Sequence, residues 1–136
     1  MTPVPKRGRG VSANGRSDGQ EQFLPIPYSM ARSPAWRSLS GGAIKVWVEL
    51  RSRFWGGNNG DLSLSLEEGA HLLGIGKATV RRAFVELQEK GFVVMTHRGH
   101  WMGRKAATWR VTDKSWKGYP PSREYQHWTP PPATAR

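Results

Sequence analysis

Between Gly76 and Val85 the chain carries three cationic side chains, Lys77, Arg81 and Arg82, and no acidic one. Ala78 and Thr79 stand among them. This group has donors but no nucleophile beside a base, so its chemistry is recognition of an anion. An arginine fork matches two acceptors at once, as on a phosphate or the O6/N7 edge of guanine. Lysine adds a point charge, and a small residue such as Ala78 lets a partner surface come close. The plain alternative is a solvated helix face. A second basic group follows at Arg98, His100, Trp101, Arg104 and Lys105. A cationic loop of this kind suits a phosphate backbone or a narrow groove. Trp101 could wedge into such a groove, pack at a dimer contact or fold back on its own loop, and folding back is expected because an exposed indole is costly.

Other groupings lead elsewhere or nowhere. His97 and His100 form H-x-x-H, a metal-like spacing, but there is no cysteine and no carboxylate pair beside them, so the ligand count falls short and no metal is expected. His71 is expected at the surface. No Ser-His-Asp set, phosphate loop or paired carboxylates can be assembled, so no catalytic residue is expected. Gly74 and Gly76 lack the preceding strand and third glycine of a nucleotide site. Neither a cofactor nor a small-molecule ligand is expected.

Composition points the same way. The 136 residues include 21 Lys and Arg against 10 Asp and Glu, a net charge of +11. Such a balance draws polyanions: DNA, RNA or an anionic membrane face. A solubility device, or a GC-rich genome that favours arginine codons, is the bland explanation. The apolar fraction, 37%, allows one modest core. Absence of cysteine excludes disulfides and thiolate sites and fits a reducing cytoplasm. No apolar run approaches the roughly 18 residues of a membrane span, and no apolar stretch follows the basic N-terminus as in a secretory signal.

The elements that must position the two basic groups can be read along the chain. Residues 1–22, rich in Gly, Pro, Ser and Arg, read as a disordered basic tail. An extended lead-in with Pro25 and Pro27 follows. Ser33-Pro34 opens a short helix, with Trp36 and Leu39 as core anchors. A first long helix runs from about Gly41 to Phe54, capped by Ser40, with Ile44, Trp47, Val48, Leu50, Arg51 and Phe54 along its stripe. Glycine and asparagine at 56–60 end it. Leu62, Leu64 and Leu66 alternate with serines as in a short strand. Ser65 and Glu68 have the spacing of a capping box for a second helix ending at Gly74. The third runs from about Lys77 to Lys90, ends at Gly91, and buries Val80, Ala83, Phe84 and Leu87. A hairpin comes next, Phe92–His97 and Lys105–Thr112, with a basic tip and Trp109 in the core. Residues 118–136 read as a proline-rich tail, either disordered or pinned only by Tyr125 and Trp128.

The order helix, strand, helix, turn, helix, hairpin resembles a winged helix-turn-helix domain, an α+β fold with a three-helix core, a short strand and a C-terminal hairpin wing. Ala70 four residues before Gly74, Ile75 after it, and Val80 and Ala83 beyond resemble the helix-turn-helix pattern position by position. Gly69 departs from it, since an apolar side chain is usual there. The run Leu87–Val94 resembles the junction of recognition helix and wing in bacterial winged-helix regulators, and Phe23–Ser40 the lead-in of small helix-turn-helix proteins of plasmids, phages and integrated elements. The domain is expected over 23–117. The resemblance implies sequence-specific binding of double-stranded DNA, with helix 77–90 in the major groove, the wing 98–105 on the backbone or minor groove, and a role in transcription. A replication or recombination accessory of a mobile element would use the same surface. A protein-interaction module is a further alternative, disfavoured because helix 3 exposes Lys, Thr and Arg where apolar anchors would be needed. A homodimer would engage two half-sites, through the first long helix or the segment 23–39.

Overall fold

The computed structural model describes residues 21–100 and 105–132. The tail expected over 1–22 lies, but for its last two residues, outside them. Two one-turn helices come first, α1 (Tyr28–Ala31) and α2 (Pro34–Arg37). Ser33 caps α2 by accepting from the Trp36 amide at 3.1 Å, and Pro34 fills the first position, where no intrahelical donor is needed. The sequence reading places no helix between the extended lead-in and Ser33, so α1 is an addition. Its first carbonyl partner is Pro27, which accepts from the Met30 and Ala31 amides.

Three longer helices follow: α3 (Gly41–Arg51), α4 (Leu66–Leu73) and α5 (Lys77–Glu89). Ser40 caps α3, accepting from the Ala43 amide. The helix ends at Arg51, short of the expected Phe54, because the next amides, Arg53 and Phe54, bond three residues back in a tighter turn. Ala43, Val46, Trp47, Leu50 and Arg51 are its buried positions. Val48, expected on that stripe, is instead exposed, and Val46 takes the inner place.

The strand expected over 62–66 reduces to one antiparallel bridge, with Leu62 and Trp109 exchanging both backbone hydrogen bonds. Ser65 stops the strand, since its hydroxyl accepts from the Glu68 amide and turns the chain into α4. Only that half of the capping box forms, because the Glu68 carboxylate reaches Arg53, whose guanidinium also pairs with Glu49. β1 (Val93–His97) and β2 (Thr108–Val111) pair antiparallel, Val93 opposite Val111, with an irregularity between Met95 and His97. Thr96 at that irregularity bonds the Gly60 carbonyl and the Thr108 hydroxyl, tying the hairpin to the turn before Leu62.

The core sits among α3, α5 and the inner face of the hairpin. Trp36 meets Trp47 and Phe92 edge-on, at 5.2 and 5.8 Å between ring centroids. Phe84 of α5 stacks on Trp109 of β2 at 4.8 Å. Val80, Ala83, Phe84 and Leu87 are buried along α5, where the helical spacing places them. Arg51 and Asp113 form a buried ion pair at 3.0 Å.

The stretch after Lys117 is held by more than Tyr125 and Trp128. Arg123–Trp128 packs onto the domain around a 3-10 helix, Glu124–His127. Tyr125 is 1% exposed and stacks on Phe92 at 5.0 Å. The Arg123 amide donates to Thr112, and Glu124 pairs with Arg110 of β2. Gly91 makes this approach feasible. Its φ is +85°, and a Cβ there would lie 2.6 Å from the Tyr125 nitrogen.

Candidate nucleic-acid interface

The turn between α4 and α5 rests on three features. Gly74 adopts the left-handed conformation, φ +69°, and its amide returns to Ala70. Lys45 of α3 donates to the Leu73 carbonyl at 3.1 Å, satisfying a backbone acceptor that the end of α4 leaves open. Half-buried Ile75 packs against the core. α5 then starts at Lys77 with Gly76 as its cap, a residue with no side chain to offer the first amides.

The close approach of α4 to α5 explains the departure at Gly69. This residue is buried, and a Cβ on it would lie 3.1 and 3.3 Å from the two methyls of Val80. Ala70, read from sequence as the small residue at the crossing, is only half-buried. Gly69 holds that place, and its low helix propensity is offset by letting Val80 seat against the α4 backbone.

On α5, Lys77, Ala78, Arg81 and Arg82 are exposed. Lys77 has a loose contact with Glu67, 3.6 Å between two exposed side chains, which contributes little. Among the described residues no carboxylate pairs with Arg81 or Arg82. Thr79 stands apart. It is half-buried, and the missing Cβ of Gly42 in α3 would lie 3.1 Å from its methyl. Its hydroxyl accepts from the Arg82 guanidinium at 3.3 Å. Val85, 50% exposed, lies three and four residues beyond Arg82 and Arg81, on the same helix face. The sequence reading left Val85 out, although the same spacing could have placed it there.

The far end of α5 uses its charges differently. Glu86 accepts from the Ser40 amide at 3.0 Å and the Ser40 hydroxyl at 2.7 Å, so it completes the cap of α3 from another helix. Lys90 bonds Glu86 at 2.9 Å and the Ser38 carbonyl at 3.0 Å. Burial pushes the Glu86 carboxyl up, but the hydrogen bonds from Lys90 and Ser40 outweigh it and hold the group below the ordinary carboxylate value.

At the hairpin tip, Arg98, His100 and Lys105 are exposed. His100 and Lys105 exchange backbone hydrogen bonds of 2.9 and 2.8 Å. Gly99, at φ +84°, lets the strands close, since a Cβ there would lie 2.6 Å from the Lys105 carbonyl oxygen. Trp101 and Arg104 lie outside the described residues. The His97 and His100 rings are 5.9 Å apart, and His97 Nδ1 already accepts from the Gly99 amide. That bond leaves only Nε2 of His97 open to other partners.

Among the described residues, five α-helices and a two-stranded antiparallel sheet, with α4 and α5 joined through a left-handed glycine, are compatible with a helix-turn-helix fold. Residues 60–102 match the family model of the DeoR-like helix-turn-helix domain, a winged helix-turn-helix DNA-binding family. The match spans the turn before Leu62, both helices of the motif, β1 and the start of the tip. No curated protein matches the chain, and no solved structure does. No helix among the described residues is long and apolar enough to cross a membrane.

Proposed function

We propose that this chain is a sequence-specific double-stranded DNA-binding protein that regulates transcription. In this reading α3, α4 and α5 form the three-helix core, and α5 lies in the major groove with Lys77, Ala78, Arg81 and Arg82 toward the base edges. The hairpin acts as the wing, with Arg98, His100 and Lys105 on the backbone or in the adjacent minor groove. The observation that carries the reading is the exposed pair Arg81 and Arg82, without a carboxylate partner among the described residues, on the second helix of a matched DNA-binding motif. A guanidinium without a counter-charge is free to fork onto guanine. Val85, one turn on, is of the size and polarity to meet a thymine methyl. The site of action is the cytoplasm, on the chromosome or a plasmid.

The test is selection from a random pool of duplexes at about 150 mM salt, where purely electrostatic binding is weakened. Enrichment of one motif is the expected result, and a two-fold symmetric motif would report a homodimer on two half-sites. Retention that depends on salt alone, with no motif, would refute sequence-specific reading.

A further inference from the structure

We infer that Thr79 does not read bases but positions Arg82, and that preference for one guanine in the bound site depends on its hydroxyl. This rests on α5 being the DNA-reading helix, as proposed above. Three observations lead to it. The Thr79 side chain is turned toward α3, with its methyl where Gly42 leaves room, so it is held between two helices rather than presented outward. Its hydroxyl accepts from Nη2 of Arg82 at 3.3 Å, one helical turn away. Arg82 has no carboxylate partner among the described residues, whereas Lys77 is drawn toward Glu67.

The physical consequence follows from what a guanine edge demands. Bidentate recognition needs the guanidinium plane aligned with O6 and N7. A long, exposed arginine samples many rotamers, and each must be frozen out when it binds. A hydroxyl fixed by the α3–α5 contact restricts one end of the fork before DNA arrives. The other nitrogens stay available, since one acceptor engages only one of five N–H groups. Gly42 is part of the device, because a larger residue there would push the Thr79 methyl and move the acceptor. Arg81 has no comparable support among the described residues, so the two adjacent arginines are unequal readers.

The experiment is the same duplex selection run in parallel on the full chain and on T79V, T79S and R82K, each checked by thermal unfolding. Valine keeps the methyl against Gly42 and removes the acceptor, serine keeps the acceptor, and lysine keeps the charge without the fork. Wild type and T79S should enrich a motif with the same guanine. T79V should relax the preference at that base about fivefold, the order expected from one hydrogen bond, with the remaining positions unchanged. R82K should lose it by roughly ten- to a hundredfold while retaining salt-dependent binding. Should T79V fail to fold, T79A, which favours helix, carries the same expectation. If wild type enriches a motif and the Thr79 variants select it unchanged, the positioning role is overturned while DNA reading stands. If R82K keeps the guanine, Arg82 is not its reader and the inference falls. If wild type enriches nothing, both readings fall together.

Discussion

The two ends of α5 both carry charged side chains, and the fold engages them differently. At its head, Lys77, Arg81 and Arg82 are exposed, and among the described residues the two arginines have no carboxylate partner. At its tail, Glu86 and Lys90 hold each other, the cap of α3 and the Ser38 carbonyl in one network. The charges of Glu86 and Lys90 are consumed by the fold. Arg81 and Arg82 at the head meet no carboxylate among the described residues, and in the proposed reading they are left for DNA. In the proposed reading one helix thus separates anchoring from recognition along its length, and substitutions at its two ends should fail differently.

The largest expected effect is at the head. R81A combined with R82A should weaken binding to the selected duplex by about 2–6 kcal/mol, the worth of two bidentate contacts. Unfolding by denaturant should stay within about 0.5 kcal/mol of wild type, as at ordinary surface positions. A large loss of stability would erase the contrast between the two ends.

The next largest is at the junction past the tail. G91A meets both the left-handed backbone and the Tyr125 nitrogen. It should destabilise by about 3 kcal/mol, combining the conformational and steric costs. Denaturant unfolding would measure this, and the folded fraction should bind DNA with wild-type affinity.

E86Q probes the tail directly. It should lower stability by about 1 kcal/mol at neutral pH, the usual worth of a cap, with binding unaltered. The folded carboxyl lies below its unfolded value. Its stabilisation is therefore fully present above the ordinary carboxylate value and disappears as pH falls through the lower folded value. Wild type and E86Q should thus converge in acid, which unfolding curves at a series of pH values would check.

The smallest effect belongs to the hairpin. R98A and K105A should each reduce the slope of log affinity against log salt by about 0.9 if each contacts one phosphate. The loss should be alike for all duplexes, read by titration of the selected site and a scrambled one. A loss confined to one sequence would mean that the tip reads bases, and recognition would no longer be confined to the head of α5.

Much of the scaffold was legible in the sequence. Ser33, Ser40 and Ser65 cap helices where their spacing placed them, and Gly74 and Gly91 mark the ends of α4 and α5. Capping and periodicity join residues a few positions apart, so a linear reading reaches them. The exposure of Lys77, Ala78, Arg81 and Arg82 followed from the same period. The alternating leucines misled, because the Ser65 cap legible in the same stretch takes the chain into α4 three residues after Leu62 and leaves no room for a strand.

Only the tertiary structure decided which partner each inward side chain meets. Ser40 finds Glu86 across 46 positions, and Arg51 finds Asp113 across 62. Gly69 is small because Val80 crosses it, Tyr125 returns from the presumed tail to stack on Phe92, and Thr79 turns to Gly42 rather than outward. A helical period identifies the face that is buried. It does not identify what covers that face, since this depends on crossing angles and chain returns that no local pattern encodes.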